Sequence, residues 1–185
     1  MLIGIEGELG GGKTILGVKW IRKESIKGRP ILTNLNLNGI KYKPLDVLEL
    51  LKDNKELTNV VLAIDELTVY VDCRMSSSKA NLFFSYLVLQ SRKRNVDIYY
   101  TTQNMDMVDK RVFQHTLLQV LCEKLFNSQN KEIDGYRYYT IFDFRNPRRP
   151  RTKSYTWDIR PYYKYYDTDQ IIAPIYSFNE KKVKK

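Results

Sequence analysis

Apolar and polar positions fall along this chain in short blocks whose spacing separates strands from helices. Residues 2–6 are a brief apolar run that closes on a glycine, the pattern of a buried strand. A glycine-rich turn follows over 7–14. A helix is predicted from 14 to about 25, with Ile15, Leu16, Val18 and Trp20 facing inward, and Lys27-Gly28-Arg29-Pro30 breaks it. Residues 31–35 read as a second strand and 36–42 as turn. Pro44 suits the first turn of a helix, and Val47, Leu48 and Leu51 give that helix an apolar stripe. The unbroken run 60–64 predicts a third strand, covered on both faces. Residues 67–78 read as a loop with a short extended piece. Ser76, Ser77 and Ser78 offer caps to a long helix over 79–93. Further strands are expected at 96–101, 116–125 and 136–144, the last two as hairpin partners, with a polar loop at 103–110 and a turn at 127–134. Strands alternating with helices predict an α/β fold with a mainly parallel central sheet and an antiparallel C-terminal edge.

Beyond residue 144 the pattern changes. Arg145-Asn146-Pro147-Arg148-Arg149-Pro150-Arg151 resists regular structure, and residues 136–166 hold eight of the 14 tyrosines. The expected organisation is a core over 1–144 and an extension over 145–185 that packs on the core or on a neighbouring subunit, with 181–185 frayed. Charge follows the same division. The net charge is +10, of which +7 lies in 145–185. A basic tail on a nearly neutral body points to an acidic partner, nucleic acid first, with a solubilising tail as the plainer alternative. The arginines suit phosphates and the aromatics suit unpaired bases, although tyrosines on a strand pair also pack. No apolar run approaches the roughly 20 residues of a membrane span. The two cysteines, far apart, make neither a ligand cluster nor a disulfide framework. A reduced protein of the host cytoplasm is expected, with virion association as a variant.

Gly7-Glu8-Leu9-Gly10-Gly11-Gly12-Lys13-Thr14 fits G-x-x-x-x-G-K-[ST] and sits between a predicted strand and a predicted helix. In such a loop Gly7, Gly10, Gly11 and Gly12 let backbone N–H groups converge on phosphates. The helix adds its positive end, Lys13 reaches the β- and γ-phosphates, and the Thr14 hydroxyl binds Mg²⁺. The 60–64 strand then delivers Asp65 and Glu66 at its C-terminal end, where open α/β sheets bind ligands. Asp65 suits the Mg²⁺ shell and Glu66 suits activation of an attacking water. Gln103, at the tip of the 96–101 strand, can reach a γ-phosphate. The expected cofactors are ATP and Mg²⁺.

The strand at 31–35, between the phosphate-loop strand and the Asp65 strand, resembles the additional-strand, catalytic-glutamate class of nucleotide hydrolases, which includes RecA-like motors. Asp65-Glu66, the helix end Gln90-Ser91-Arg92-Lys93-Arg94, the stretch from Val96 to Gln103 and Val108-Asp109-Lys110-Arg111 resemble the HerA–FtsK superfamily of DNA-pumping ATPases. Ile31-Leu32-Thr33-Asn34 and Asp72-Cys73-Arg74 are similar to its small members: zonular-occludens-toxin-like phage proteins and packaging ATPases of archaeal and membrane-containing viruses. The resemblance spans about residues 1–125. It implies a homo-oligomeric ring, usually a hexamer, with ATP between subunits and DNA in the channel. It also implies an arginine supplied by a neighbour, for which Arg74, Arg92 and Arg111 are candidates, Arg111 favoured. Arg92 could instead act within its own subunit. Chromosome-pumping members carry an arginine in the fifth-strand region, whereas residues 116–123 have none.

The expected function is an ATP-driven translocase packaging double-stranded DNA, with a capsid or membrane protein as a further partner. The alternatives are a toxin-like phage assembly ATPase exporting single-stranded DNA, a nucleotide-dependent switch that pumps nothing, and a small-molecule kinase.

Overall fold

A computed structural model describes residues 1–45, 57–146, 148–167 and 170. The strands are β1 (Leu2–Gly7), β2 (Ile31–Thr33), β3 (Lys43–Pro44), β4 (Val61–Ile64), β5 (Asp97–Thr102), β6 (Leu118–Phe126), β7 (Glu132–Asp143) and β8 (Arg151–Asp158). They form one sheet in the order β3-β2-β4-β5-β1-β6-β7-β8. The first six run parallel, and β7 and β8 are antiparallel to their neighbours. The helix expected after Pro44 falls outside the described residues. Lys43 and Pro44 themselves pair with β2.

Two cores lie on the two faces of the sheet. Helix α1 (Lys13–Ile26) covers one, burying Ile15, Leu16, Val18 and Ile21 against Ile3, Ile5, Val61 and Val120. Trp20, expected inward, is only half-buried and lies against Tyr99; Ile21 takes the inner position. Helix α2 (Lys79–Ser91) covers the other face through Phe84, Leu87 and Val88. Its cap is Ser78, whose hydroxyl accepts from the Asn81 N–H. All four β4 residues are buried, as a strand roofed on both faces requires.

Two local features differ from the pattern-based expectation. Residues 67–78 hold two single 3₁₀ turns, Leu67–Val69 and Cys73–Met75, and Asp72 makes an isolated bridge to Val108. The polar loop after β5 runs into a five-residue helix, α3 (Lys110–Gln114), capped by Asp109. One turn of helix is too short to leave a periodic signal.

The chain beyond 144 contributes β8 and then a 3₁₀ segment, Arg160–Tyr165, which lies across α1. Trp157 and Tyr162 close over Lys19, whose Nζ sits 4.4 Å from the Trp157 ring, and Arg22 stacks on Tyr165 at 4.9 Å. Burial, with the Lys23 charge beside it, lowers the Lys19 pKa. The strap then reaches the segment after β2: Leu37 bridges Tyr166, and the Gln170 amide binds the Asn34 carbonyl and the Asn36 N–H. No helix among the described residues is long and apolar enough to cross a membrane.

Candidate active site

The loop between β1 and α1 stands at the C-terminal end of the parallel strands. Gly7 must be glycine, because a Cβ there would lie 2.2 Å from the Cys122 carbonyl oxygen. Gly12, at φ 94°, is the N-cap of α1 and offers no side chain to its first N–H groups. Those donors face the loop unpaired by a capping side chain, the arrangement that receives an anion. Lys13 is buried, and its Nζ donates to the Glu8 carbonyl at 3.1 Å, an acceptor it shares with the Gly11 N–H.

Strand β4 brings Asp65 to the same place. Thr14 Oγ1 donates to Asp65 Oδ1 at 3.0 Å, and Thr101 Oγ1 donates to the same oxygen at 2.7 Å. Burial raises the Asp65 pKa; the Thr101 and Thr14 hydroxyls and the Lys13 charge oppose it without cancelling it. A buried carboxylate left short of positive charge, with a hydroxyl beside it, is an oxygen donor set that suits Mg²⁺. The two residues expected to hold that ion are therefore together.

Glu66 follows at φ 50° and ψ 61°, left-handed backbone that costs a non-glycine residue about 1–2 kcal/mol. Its N–H donates to Thr101 Oγ1 at 2.9 Å. Thr101 thus anchors both acidic residues, accepting from one main chain and donating to the other side chain. Glu66 is half-buried, and burial followed by the Asp65 charge raises its pKa, with Lys13 opposing. That direction suits a group that must exchange a proton with water.

Asn34 completes the set. The β2–β4 ladder ends at Thr33↔Ala63, and the Asn34 side chain then imitates the next peptide. Its Oδ1 accepts from the Asp65 N–H at 2.8 Å and its Nδ2 donates to the Asp65 carbonyl at 2.9 Å. Asn34 and Thr101 were not singled out from sequence. Both are polar residues at or just past strand ends, and only the register Ile64↔Tyr100 shows that Thr101 stands beside Asp65. Arg137 of β7 is a third such residue: buried, it donates from Nε to the Gly10 carbonyl at 2.8 Å and pairs with Glu132 at 3.1 Å.

Gln103 lies immediately past β5, exposed and without a hydrogen-bond partner among the described residues. The candidate arginines do not join the cluster. Arg74 is bound by Asp72, and Arg111 by Asp109 and the Ser76 carbonyl. Asn81 ties these two pairs together through the Asp72 carbonyl and Asp109 Oδ2, beside the start of α2. Arg92 caps the far end of α2, in a cavity it shares with Met1, Leu2 and Val96. The whole of β1, roughly 17 Å, separates that end from the phosphate loop. Action of Arg92 within its own subunit is therefore excluded by position.

No family model matches the chain, and no curated protein does. Solved structures do. The N-terminal domain of zonular occludens toxin from Neisseria meningitidis superposes with a TM-score of 0.62 at 18% identity, covering 90% of this chain and 98% of that one. The genome packaging NTPase B204 of Sulfolobus turreted icosahedral virus 2, in complex with ATP-gammaS, gives 0.54 at 11% identity, with 82% and 95% covered. The ATPase domain of a helicase gives 0.58 at 12% identity, with 90% and 84% covered. The fold is that of a RecA-like P-loop NTPase.

Proposed function

We propose that this chain is an ATP-driven DNA translocase whose task is the packaging of double-stranded DNA. The observation that carries the nucleotide half of the reading is the shared anchoring of Thr14, Asp65 and Glu66 through Thr101 at the mouth of a glycine loop. Lys13 would leave the Glu8 carbonyl for the β- and γ-phosphates. Thr14 and Asp65 would hold Mg²⁺, which supplies neutralisation of the phosphate charge. Glu66 takes a proton from the attacking water. Gln103, free at the tip of β5, contacts the γ-phosphate and couples its loss to the loop that follows.

The DNA half is supported by the turn between β7 and β8. Arg145, Arg148, Arg149 and Arg151 are all exposed there. The Leu118↔Asp143 pair places this turn at the edge of the sheet opposite the phosphate loop, so a duplex held there leaves the nucleotide site open. The packaging NTPase that shares the fold supports the choice of task. The reading includes a homo-oligomeric ring, a hexamer by family resemblance, in which Arg74, Arg92 or Arg111 acts on a neighbour's nucleotide, and a capsid or membrane protein that receives the motor.

The test is ATP hydrolysis with and without double-stranded DNA across a salt series. Several-fold stimulation that falls with salt is expected. Turnover indifferent to DNA at every salt concentration overturns the translocase reading in favour of a nucleotide switch. Stimulation by single-stranded DNA alone favours the export reading.

A further inference from the structure

We infer that the nucleoside of a bound nucleoside triphosphate lies along the free end of β6, with its base stacked on Phe126. The inference rests on the nucleotide-binding reading of the loop and adds the other end of the ligand to it. Asp65, Thr101 and Glu66 belong to the ends of β4 and β5, on one side of β1, and they set the direction of the terminal phosphate. A triphosphate is a linear chain. Its nucleoside must therefore leave the loop on the other side of β1, where β6 and β7 stand.

Strand β6 outruns its neighbour on that side. The last β1–β6 pair is Gly7↔Cys122, yet β6 continues to Phe126. A cavity of about 390 Å³ opens against this overhang, bounded by Glu8 of the loop and by Cys122, Lys124 and Phe126. That volume lies within the roughly 300–1,000 Å³ of small-ligand sites. Phe126 is 48% exposed at the rim, a large apolar ring left in water at the one place where a flat partner is required.

The polar groups around it have the sign that a nucleotide needs. Lys124 Cε lies 3.2 Å from where a Cβ on Gly10 would stand, so this cation leans over the loop. Glu132 pairs with Lys124 at 3.4 Å and with Arg137 at 3.1 Å. Two cations against one carboxylate leave a net positive flank between loop and cavity, where the α-phosphate and ribose pass. Arg137, through its hold on the Gly10 carbonyl, keeps the loop against this flank.

The test compares affinities for ATP and for inorganic tripolyphosphate, each with Mg²⁺, by calorimetry on the parent protein and on Phe126→Ala. Loss of one base–aromatic stack is expected to weaken ATP about 5- to 100-fold and to leave tripolyphosphate within about twofold. Undiminished ATP affinity overturns the placement, and so does an equal loss of both ligands, which marks damage to the loop itself. A parent protein that binds neither ligand removes the nucleotide-binding reading as well, so the two failures are distinct. In a Phe126→Trp variant the added fluorescence is expected to respond to ATP and not to tripolyphosphate. The absence of an ATP-specific response overturns the inference independently of Phe126→Ala.

Discussion

Replacing Asn34 by alanine tests the architecture of the site without touching a residue assigned to the chemistry. The side chain continues the β2–β4 ladder past its last pair, satisfying both the N–H and the carbonyl of Asp65. Asp65 is 9% exposed, so water replaces these bonds poorly. Two hydrogen bonds at about 1 kcal/mol each give a loss of about 2 kcal/mol. For a chain of this size that lowers Tm by about 4–8 °C. Asp65 also loses the constraint that aims its carboxylate at Thr14, and a displacement of about 1 Å in such a group costs up to about 100-fold in rate. Thermal unfolding followed by circular dichroism and steady-state ATP hydrolysis read the two effects. Asn34→Asp keeps the acceptor and loses the donor, so its Tm is expected between those of the parent and of Asn34→Ala. A Tm within about 1 °C of the parent, together with turnover within about twofold, would refute the idea that Asn34 holds Asp65 in place.

Three further outcomes follow from the same geometry. Glu66→Gln is expected to bind ATP as the parent does and to lose about 10²- to 10⁴-fold in turnover; full activity removes Glu66 from the role of base. Burial raises the Asp65 pKa, so the fold is more stable with this carboxyl protonated, and that stability is lost as pH rises through the folded pKa. Asp65→Asn is therefore expected to raise the Tm of nucleotide-free protein at neutral pH, by roughly 2–4 °C for each kcal/mol regained, while abolishing Mg²⁺-dependent turnover; a lower Tm contradicts the account of an undercompensated carboxylate. Replacing Arg148, Arg149 and Arg151 together by serine is expected to reduce the slope of log DNA affinity against log salt by about 2–3, and an unchanged slope moves the DNA contact elsewhere.

Much of the nucleotide site was legible because its signals are local. A loop that must pass Cys122 and present bare N–H groups needs glycine at Gly7 and Gly12, and those needs act on neighbouring residues of one chain segment. The same holds for β4, whose unbroken apolar run announces a strand roofed on both faces and hence the position of Asp65 at its end. The polar residues that position the site were not legible in this way. Asn34, Thr101 and Arg137 act across strands that are distant in sequence, and a serine or valine in their places would leave every local pattern unchanged.

The region beyond residue 144 makes the same division from the other side. Composition alone marked it as basic and aromatic, and net charge survives any folding. Whether its tyrosines met bases or side chains depended on which face of β7 and β8 they occupied, a matter of pleat and pairing. Tyr139 is buried and, with Trp157, Tyr162 and Tyr165, packs on α1, while Tyr155 and Tyr163 remain exposed. For the candidate arginines the sequence determined the charge and the tertiary structure decided the address. Arg92 stands a whole strand away from the loop, and Arg74 and Arg111 are ion-paired beside α2. A motif written within one turn of chain carries its own geometry. A site assembled from five strands takes its geometry from register and topology, which come into being only when the sheet closes.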